Sequence, residues 1–211
     1  LINIDNDTVG LIVHPLQCNT SETGLTSRVW ISLKAQPSFP VTLPISSSKL
    51  TEVTVTPPSL TFTPTDWNIE QFITLQGIDE LYADGNQVIS VYLGPSTSAD
   101  ALFAGMTSSV LVTNYDNEQA GMALGMANCA AKSDQLANFT AKLTSCPQPG
   151  EIVTLTAVSQ NPSVASVVSQ PLRITSMNWM LSMSFSVRGI KGTASPSLFL
   201  VAVRSSSSMS G

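Results

Sequence analysis

From Val29 to Lys34 the apolar residues Val29, Ile31 and Leu33 alternate with Trp30, Ser32 and Lys34. A period of two predicts a strand with one buried and one wet face. Val53 and Val55 alternate in the same way with Thr54 and Thr56. Short apolar runs follow at Val41 to Ile45, Leu60 to Phe62, Phe72 to Leu75, Val88 to Leu93 and Val110 to Val112, separated by Pro-, Gly-, Ser- and Asn-rich breaks. Such breaks are turn chemistry. No stretch sustains a period of 3.6 long enough for a substantial helix. About seven short strands per hundred residues, with frequent turns, predict an all-β chain of immunoglobulin-like sandwiches.

The pattern occurs twice. Val41-Thr42-Leu43 matches Val153-Thr154-Leu155, Leu60 matches Leu172, Trp67 matches Trp179 and Gly77-Ile78 matches Gly189-Ile190, all at one offset (179 − 67 = 112). A self-match at this spacing marks tandem domains of sandwich size. The expected division is 1–8 as the end of a preceding repeat or linker, 9–118 as repeat one, and 119–211 as a degenerate or incomplete repeat two with a Ser-rich end. The copies also assign the faces. Gln71, Ile73 and Leu75 align with Met183, Phe185 and Val187, whereas Phe72 and Thr74 align with Ser184 and Ser186. Ile73 and Leu75 are therefore expected in the core and Phe72 outside. Trp67 and Trp179 are read as packing against the end of each sandwich, in preference to stacking on a sugar.

Composition changes the setting more than the fold. Apolar residues make up 43% of the 211 and charged residues only 11%, against roughly 25% charged in ordinary soluble domains. Ser and Thr cover the polar surface, which suits an extracellular or cell-surface protein. No apolar stretch approaches the roughly 20 residues of a membrane span, no signal peptide is recognisable, and the chain reads as part of a longer polypeptide. Net charge is −5, and from Leu50 to Ala131 there is no Lys or Arg, while that window holds nine acidic residues, among them Asp79, Glu80, Asp84, Asp116 and Glu118. That field repels nucleic acid and attracts cations. The cysteines are Cys18, Cys129 and Cys146. A Cys129–Cys146 bridge would stabilise by roughly 3 kcal/mol, and three separate buried thiols are the other reading. Asn6, Asn19 and Asn138 head glycosylation triplets.

The chemistry gathers in three acidic loops. Tyr115-Asp116-Asn117-Glu118 ends the first repeat, Asp79-Glu80 with Asp84 lies on a turn between strands, and Glu22 lies on another loop. In a sandwich of alternating strand direction these loops can meet at one end. Carboxylates without a nearby cation repel, and a divalent ion resolves the repulsion. Ca²⁺ accepts six to eight oxygens in irregular geometry. Zinc does not suit a chain whose one histidine is His14 and whose cysteines are scattered. Asp5 and Asp7 repeat the junction one unit earlier, as half a site.

These residues resemble the Calx-beta repeat. The resemblance rests on the strand into Asp116-Asn117-Glu118-Gln119-Ala120-Gly121, on Ser21-Glu22 with Gly24, on Leu60-Thr61-Phe62, and on Gly77-Ile78-Asp79-Glu80 with Asp84. It spans nearly all of 9–118 and, more faintly, 119–204. It implies a β-sandwich from a large adhesion or exchanger-type protein, with Glu22, Asp79, Glu80, Asp84, Asp116 and Glu118 as Ca²⁺ ligands. Asn117 stands where a third acid is common. In the second repeat Lys191-Gly192 replaces Asp79-Glu80, with Asp134 as a partial substitute for Glu22, so a cation is expected at the repeat junction and none at the far end. One histidine and the lack of a nucleophile elbow or phosphate loop argue against an enzyme. The reading is a structural or adhesive tandem-repeat segment or surface filament, rigidified by Ca²⁺. Its expected partners are neighbouring repeats of the same polypeptide and lateral copies, with no nucleic acid and no membrane insertion. A glycan- or protein-binding module and a calcium-sensing regulatory domain are the alternatives.

Overall fold

The computed structural model describes residues 8–126, 134–190 and 201–209. Every regular element among them is a strand, and the chain divides into two compact units. The first comprises 1–80 and 84–117. The second comprises 118–211 together with 81–83, a short excursion that the repeat does not foresee. The Cys129 half of the candidate bridge, Asn6, Asp5, Asp7 and Lys191-Gly192 lie outside the described residues.

In the first unit, one sheet orders β1 (Leu11–His14), β3 (Thr26–Leu33), β7 (Gln71–Gly77) and β5 (Val53–Thr56). The facing sheet orders β2 (Gln17–Ser21), β10 (Ser108–Tyr115), β8 (Gln87–Leu93), β4 (Val41–Ser47) and β6 (Ser59–Phe62), with β9 (Thr97–Ser98) also on β4. All pairs are antiparallel except β2 with β10, which is parallel. The sheets meet through the inward side chains that the alternation assigns: Val29, Ile31, Ile73, Leu75, Ile89, Val91, Val110 and Val112 are all within 1% of complete burial. Each such aliphatic is worth about 1.5–3 kcal/mol relative to exposure. Phe72, on the other face of β7, is 43% exposed and lies under the Arg28 guanidinium at 4.6 Å.

Among the described residues the second unit repeats much of the plan of the first. One sheet orders β11 (Met122–Met126), β12 (Leu136–Leu143), β16 (Met183–Gly189) and β14 (Ala165–Val167). These are the counterparts of β1, β3, β7 and β5, and β16 sits at the offset of the sequence repeat (183 − 71 = 112). The other sheet orders β15 (Leu172–Ile174), β13 (Glu151–Ser159) and β17 (Val201–Met209). Phe185 and Val187 are buried at 0% and 1%, as Ile73 and Leu75 are. Both tryptophans pack against their own core cluster. A matching turn precedes each. Asp66 Oδ1 accepts the Thr63 N–H (2.5 Å) and hydroxyl (2.8 Å), and Asn178 Oδ1 accepts the Thr175 N–H (2.7 Å).

Candidate metal centre

The acidic residues of the first unit meet because of strand direction. Glu22 follows β2, Asp79 and Glu80 follow β7, and Asp116 follows β10, while Glu52 precedes β5 and Asp84 lies just ahead of β8. β5 is antiparallel to β7, with Val53 opposite Gly77, so Glu52 lies at the same end as Asp79 and Glu80. β8 is antiparallel to β10 and β2 parallel to it, which brings the other loops there too.

Two groups form. In one, carboxylate oxygens of Glu52, Glu80 and Asp84 lie within 4.8 Å of one another. Glu52 is 1% exposed and held from two sides: Asn114 Nδ2 donates to Oε2 (3.4 Å), and Lys49 Nζ contacts Oε1 (2.9 Å). Lys49 also reaches Gln87 Oε1 (3.3 Å) and Asp84 Oδ2 (3.9 Å). Oε1 of Glu80 and Oδ1 of Asp84 are inaccessible to solvent and have no hydrogen-bond partner. Burial, and then the charges of Asp84 and Glu52, push the Glu80 carboxyl above the usual glutamate range. The hydrogen bond to Glu52 holds the Lys49 ammonium above the usual lysine range.

In the other group, oxygens of Glu22 and Asp79 also fall within 4.8 Å. Glu22 is 5% exposed. Asn117 binds both acids as a donor, through its Nδ2 to Asp79 Oδ1 (3.2 Å) and its N–H to Glu22 Oε2 (3.4 Å). Asn117 is thus a hydrogen-bond partner of the two carboxylates. Asp116 acts on the neighbouring loop, where its Oδ2 accepts the Gly85 N–H (2.6 Å) and its own N–H donates to Asn86 Oδ1 (3.1 Å). It shapes the turn that presents Asp84, where Gly85 takes a left-handed φ of +79°. Glu118 belongs to the second unit.

The expectation that these acids have no nearby cation is overturned by Lys49. It stands one residue before the cation-free window, and a run of composition cannot show that a loop folds back onto the acids it precedes. For a related reason, Glu52 and Asn114 do not stand out in the sequence. Glu52 lies in a Lys-Leu-Thr-Glu turn with no acidic neighbour, and Asn114 reads as an ordinary strand residue. A signal for Asn114 was nevertheless present in the repeated Gly77. A Cβ there would stand 2.5 Å from the Ser21 carbonyl oxygen and closer still to Asn114 Oδ1. Gly77 therefore admits the buried chain Thr20–Asn114–Glu52, in which Thr20 Oγ1 donates to Asn114 Oδ1 (2.9 Å).

The donor set fits an oxygen-seeking cation. Two ligands on opposite sides of Ca²⁺, at roughly 2.4 Å each, stand at most about 4.8 Å apart, the span of the Glu52–Glu80–Asp84 group. Three carboxylates and one ammonium leave a net charge that a divalent ion neutralises. In the second unit, Asp134 is exposed at a φ of 58° and its N–H donates to the Gly189 carbonyl (3.0 Å). Among the described residues, no acidic group forms around it. Cys146 is buried, with its Sγ 3.4 Å from the Pro147 carbonyl oxygen, and Cys18 is a half-buried thiol. Asn19 is exposed on edge strand β2, and Asn138 is exposed on β12 with Oδ1 accepting the Ser186 hydroxyl (2.7 Å).

Comparison with models of protein families gave no match, and comparison with curated proteins gave none. Among solved structures, CBD12 from CALX1.2 aligns over 92% of this chain and 79% of that chain at 12% identity, with a TM-score of 0.39. The chaperone–tip adhesin complex CsuC–CsuE of Acinetobacter baumannii pili aligns over 69% of this chain and 80% of that chain at 10% identity and 0.40. The surface-layer protein SbsC, domains 4–9, aligns over 98% of this chain and 32% of that chain at 10% and 0.33. Likeness at this level carries nothing about function.

Proposed function

We propose that this chain is a non-enzymatic structural segment of a larger surface protein, a spacer or adhesive stalk whose first unit takes up Ca²⁺ at its acidic end. One observation carries the reading: carboxylate oxygens of Glu52, Glu80 and Asp84 lie within 4.8 Å of one another, Glu52 is 1% exposed, and Oε1 of Glu80 and Oδ1 of Asp84 are buried without a hydrogen-bond partner. Two carboxylates about 4.8 Å apart repel by about 3.5 kcal/mol at an effective dielectric of 20. Lys49 offsets part of this, and a divalent ion offsets the rest. The cation would fasten the loops after β7 and before β5 and β8 to one another, so the output is mechanical: a stiffer end to the sandwich. Neighbouring repeats of the same polypeptide are the natural partners of such an end. The lone histidine supports a role without catalysis, since His14 sits on an exposed edge strand, stacked on Trp30 and paired with Glu70 (2.6 Å).

The test is calorimetric titration of Ca²⁺ into metal-stripped protein, with Mg²⁺ as a second arm. Binding in the roughly 10⁻⁴–10⁻³ M range of extracellular modules is expected, abolished in the double variant Glu80→Gln, Asp84→Asn. No binding of Ca²⁺ at ten times the upper value would sink the reading.

A further inference from the structure

The second sheet of the first unit, β2-β10-β8-β4-β6 with β9 on β4, has no Asp, Glu, Lys, Arg or His in any of its strands. Its inward side chains build the core. Its outward ones meet solvent with hydroxyls, amides and a few large apolar groups: Val88 is 65% exposed, Tyr92 49%, Leu111 42% and Tyr115 41%. The outward face of the other sheet differs. It carries Arg28 and His14, and its rings are already engaged, Phe72 by the Arg28 guanidinium and Trp30 by the His14 imidazole at 6.0 Å between centroids.

The strand register gives the uncharged face a relief. Tyr92 stands opposite Ser109, Leu111 opposite Ser90 and Val88 opposite Thr113. Each pair sets a larger side chain beside a smaller one, and the larger one changes strand at every step. Bumps and hydroxyl-lined hollows therefore alternate like a checkerboard, and an identical checkerboard can seat its bumps in the hollows of the first. Sheets of one twist pack face to face at about −30°, and two copies of this sheet share their twist. Ser and Thr hydroxyls both donate and accept, so the hollows suit a surface like themselves.

Charge and area point the same way. The chain carries −5, which repels copies wherever acidic loops meet. A face without charge lets two copies approach free of that repulsion, and the centres of protein interfaces are depleted of Lys, Glu and Asp and enriched in Tyr. Anionic lipid or nucleic acid would need the Lys and Arg that the face does not have. A strand residue covers about 16 Å² of sheet plane, from roughly 3.4 Å of rise and 4.8 Å of strand spacing. The five main strands, of four to eight residues each, make a face of roughly 500 Å². Two faces bring about 1,000 Å² together, where specific interfaces begin.

We propose that this face is a lateral contact of the chain, receiving the same face of a second copy as a two-fold pair, with Leu111 and Tyr92 among the side chains it covers. Such a contact joins stalks side by side. The inference does not use the cation site, and its failure leaves the Ca²⁺ titration untouched.

The test is sedimentation equilibrium of the full chain over a concentration series up to about 1 mM. EDTA is present so that no metal bridges acidic ends. The protein is made without glycosylation, since Asn19 stands on β2 at the rim of the face. A reversible dimer is expected. Raising NaCl from about 0.05 to about 0.5 M should leave it as tight or tighter, because salt screens only the net repulsion. Leu111→Glu and Tyr92→Glu each set a carboxylate in the contact and should weaken it at least about tenfold. Ile12→Glu, equally exposed at 42% but on the other sheet, should leave it within about twofold. A chain that is monomeric throughout the series overturns the proposal. So does a dimer that Leu111→Glu and Tyr92→Glu leave intact, which puts the contact elsewhere, and so does one that salt dissolves, which makes it ionic. The salt arm needs no variant, so a substitution that disturbs the fold does not spare the proposal.

Discussion

At the scale of single residues, the repeat preserves a cap, and at Gly77 the first unit adds a close approach. Gly77 has the β-carbon position that Asn114 and the Ser21 carbonyl need. Gly77→Ala is expected to cost about 1–3 kcal/mol, the range for forcing atoms into a packed interior. A urea melt of the first unit is the check, with Gly24→Ala as the reference, because Gly24 has open space but a left-handed φ of +102°. A smaller cost for Gly77→Ala than for Gly24→Ala would mean that the Thr20–Asn114–Glu52 chain yields easily. Asp66 and Asn178 do the same work in the two copies, and their difference is titratable. The Thr63 N–H and hydroxyl hold the Asp66 carboxyl below its usual value of 3.8. A carboxyl depressed in the folded state adds stability that is present above the unfolded value and lost as pH falls through the folded one. The first unit should therefore weaken on acidification below about pH 4, and Asp66→Asn, which borrows the second unit's solution, should flatten that limb while keeping the cap. Melting temperatures of wild type and variant between pH 2 and pH 6 decide it. An unchanged acid limb in Asp66→Asn would assign that limb to other carboxyls, of which Asp100, held low by the Ser38 N–H, is the first candidate.

At the scale of elements, β7 shows how far sequence reaches. Alternation alone leaves the buried face of Gln71-Phe72-Ile73-Thr74-Leu75 undecided, since Phe72 is the bulkiest residue in it. The second copy resolves the choice because Ser184 and Ser186 cannot form a core face. Ile73→Ala should cost about 2–5 kcal/mol. Phe72→Ser should cost at most the roughly 0.5–1 kcal/mol of an exposed cation–π contact with Arg28. Chemical denaturation of both variants checks the register, and a costlier Phe72→Ser would reverse it. Strand existence and facing are thus legible wherever a pattern has a period or a duplicate. Parallel pairing of β2 with β10 and the two-residue β9 are not, for both depend on which distant strand arrives beside them. The acidic site divides along the same line. Glu22, Asp79, Glu80, Asp84 and Asp116 announce themselves as clustered acids on loops. Glu52, Asn114 and Lys49 enter the site only because β5 runs antiparallel to β7 and a buried asparagine reaches across from β10.

At the scale of the whole molecule, two copies of one plan carry different equipment. The first copy gathers acids at one end. Among the described residues the second has no such group, and its second sheet orders β15-β13-β17. Divergence of this kind separates the two units thermodynamically. A ligand bound only by the folded form stabilises by RT ln(1 + [L]/Kd), so 10 mM Ca²⁺ at a Kd of 10⁻⁴–10⁻³ M is worth about 1.4–2.7 kcal/mol. For a unit near one hundred residues, each kcal/mol moves the midpoint by roughly 4–8 °C. Calorimetry of the chain should therefore resolve two transitions, of which one rises by roughly 5–20 °C with Ca²⁺ while the other stays within a degree or so. Glu80→Gln identifies the moving one. It removes a carboxylate that burial and its neighbours disfavour in ionised form, so it should raise the metal-free midpoint of the first unit slightly and erase most of the calcium increment. Both transitions rising together in wild type would tie the cation to the second unit as well. A first transition indifferent to Ca²⁺, with Glu80→Gln still stabilising, would mean that Lys49 alone balances the acids and that the sandwich end is stiffened by an ion pair and no metal.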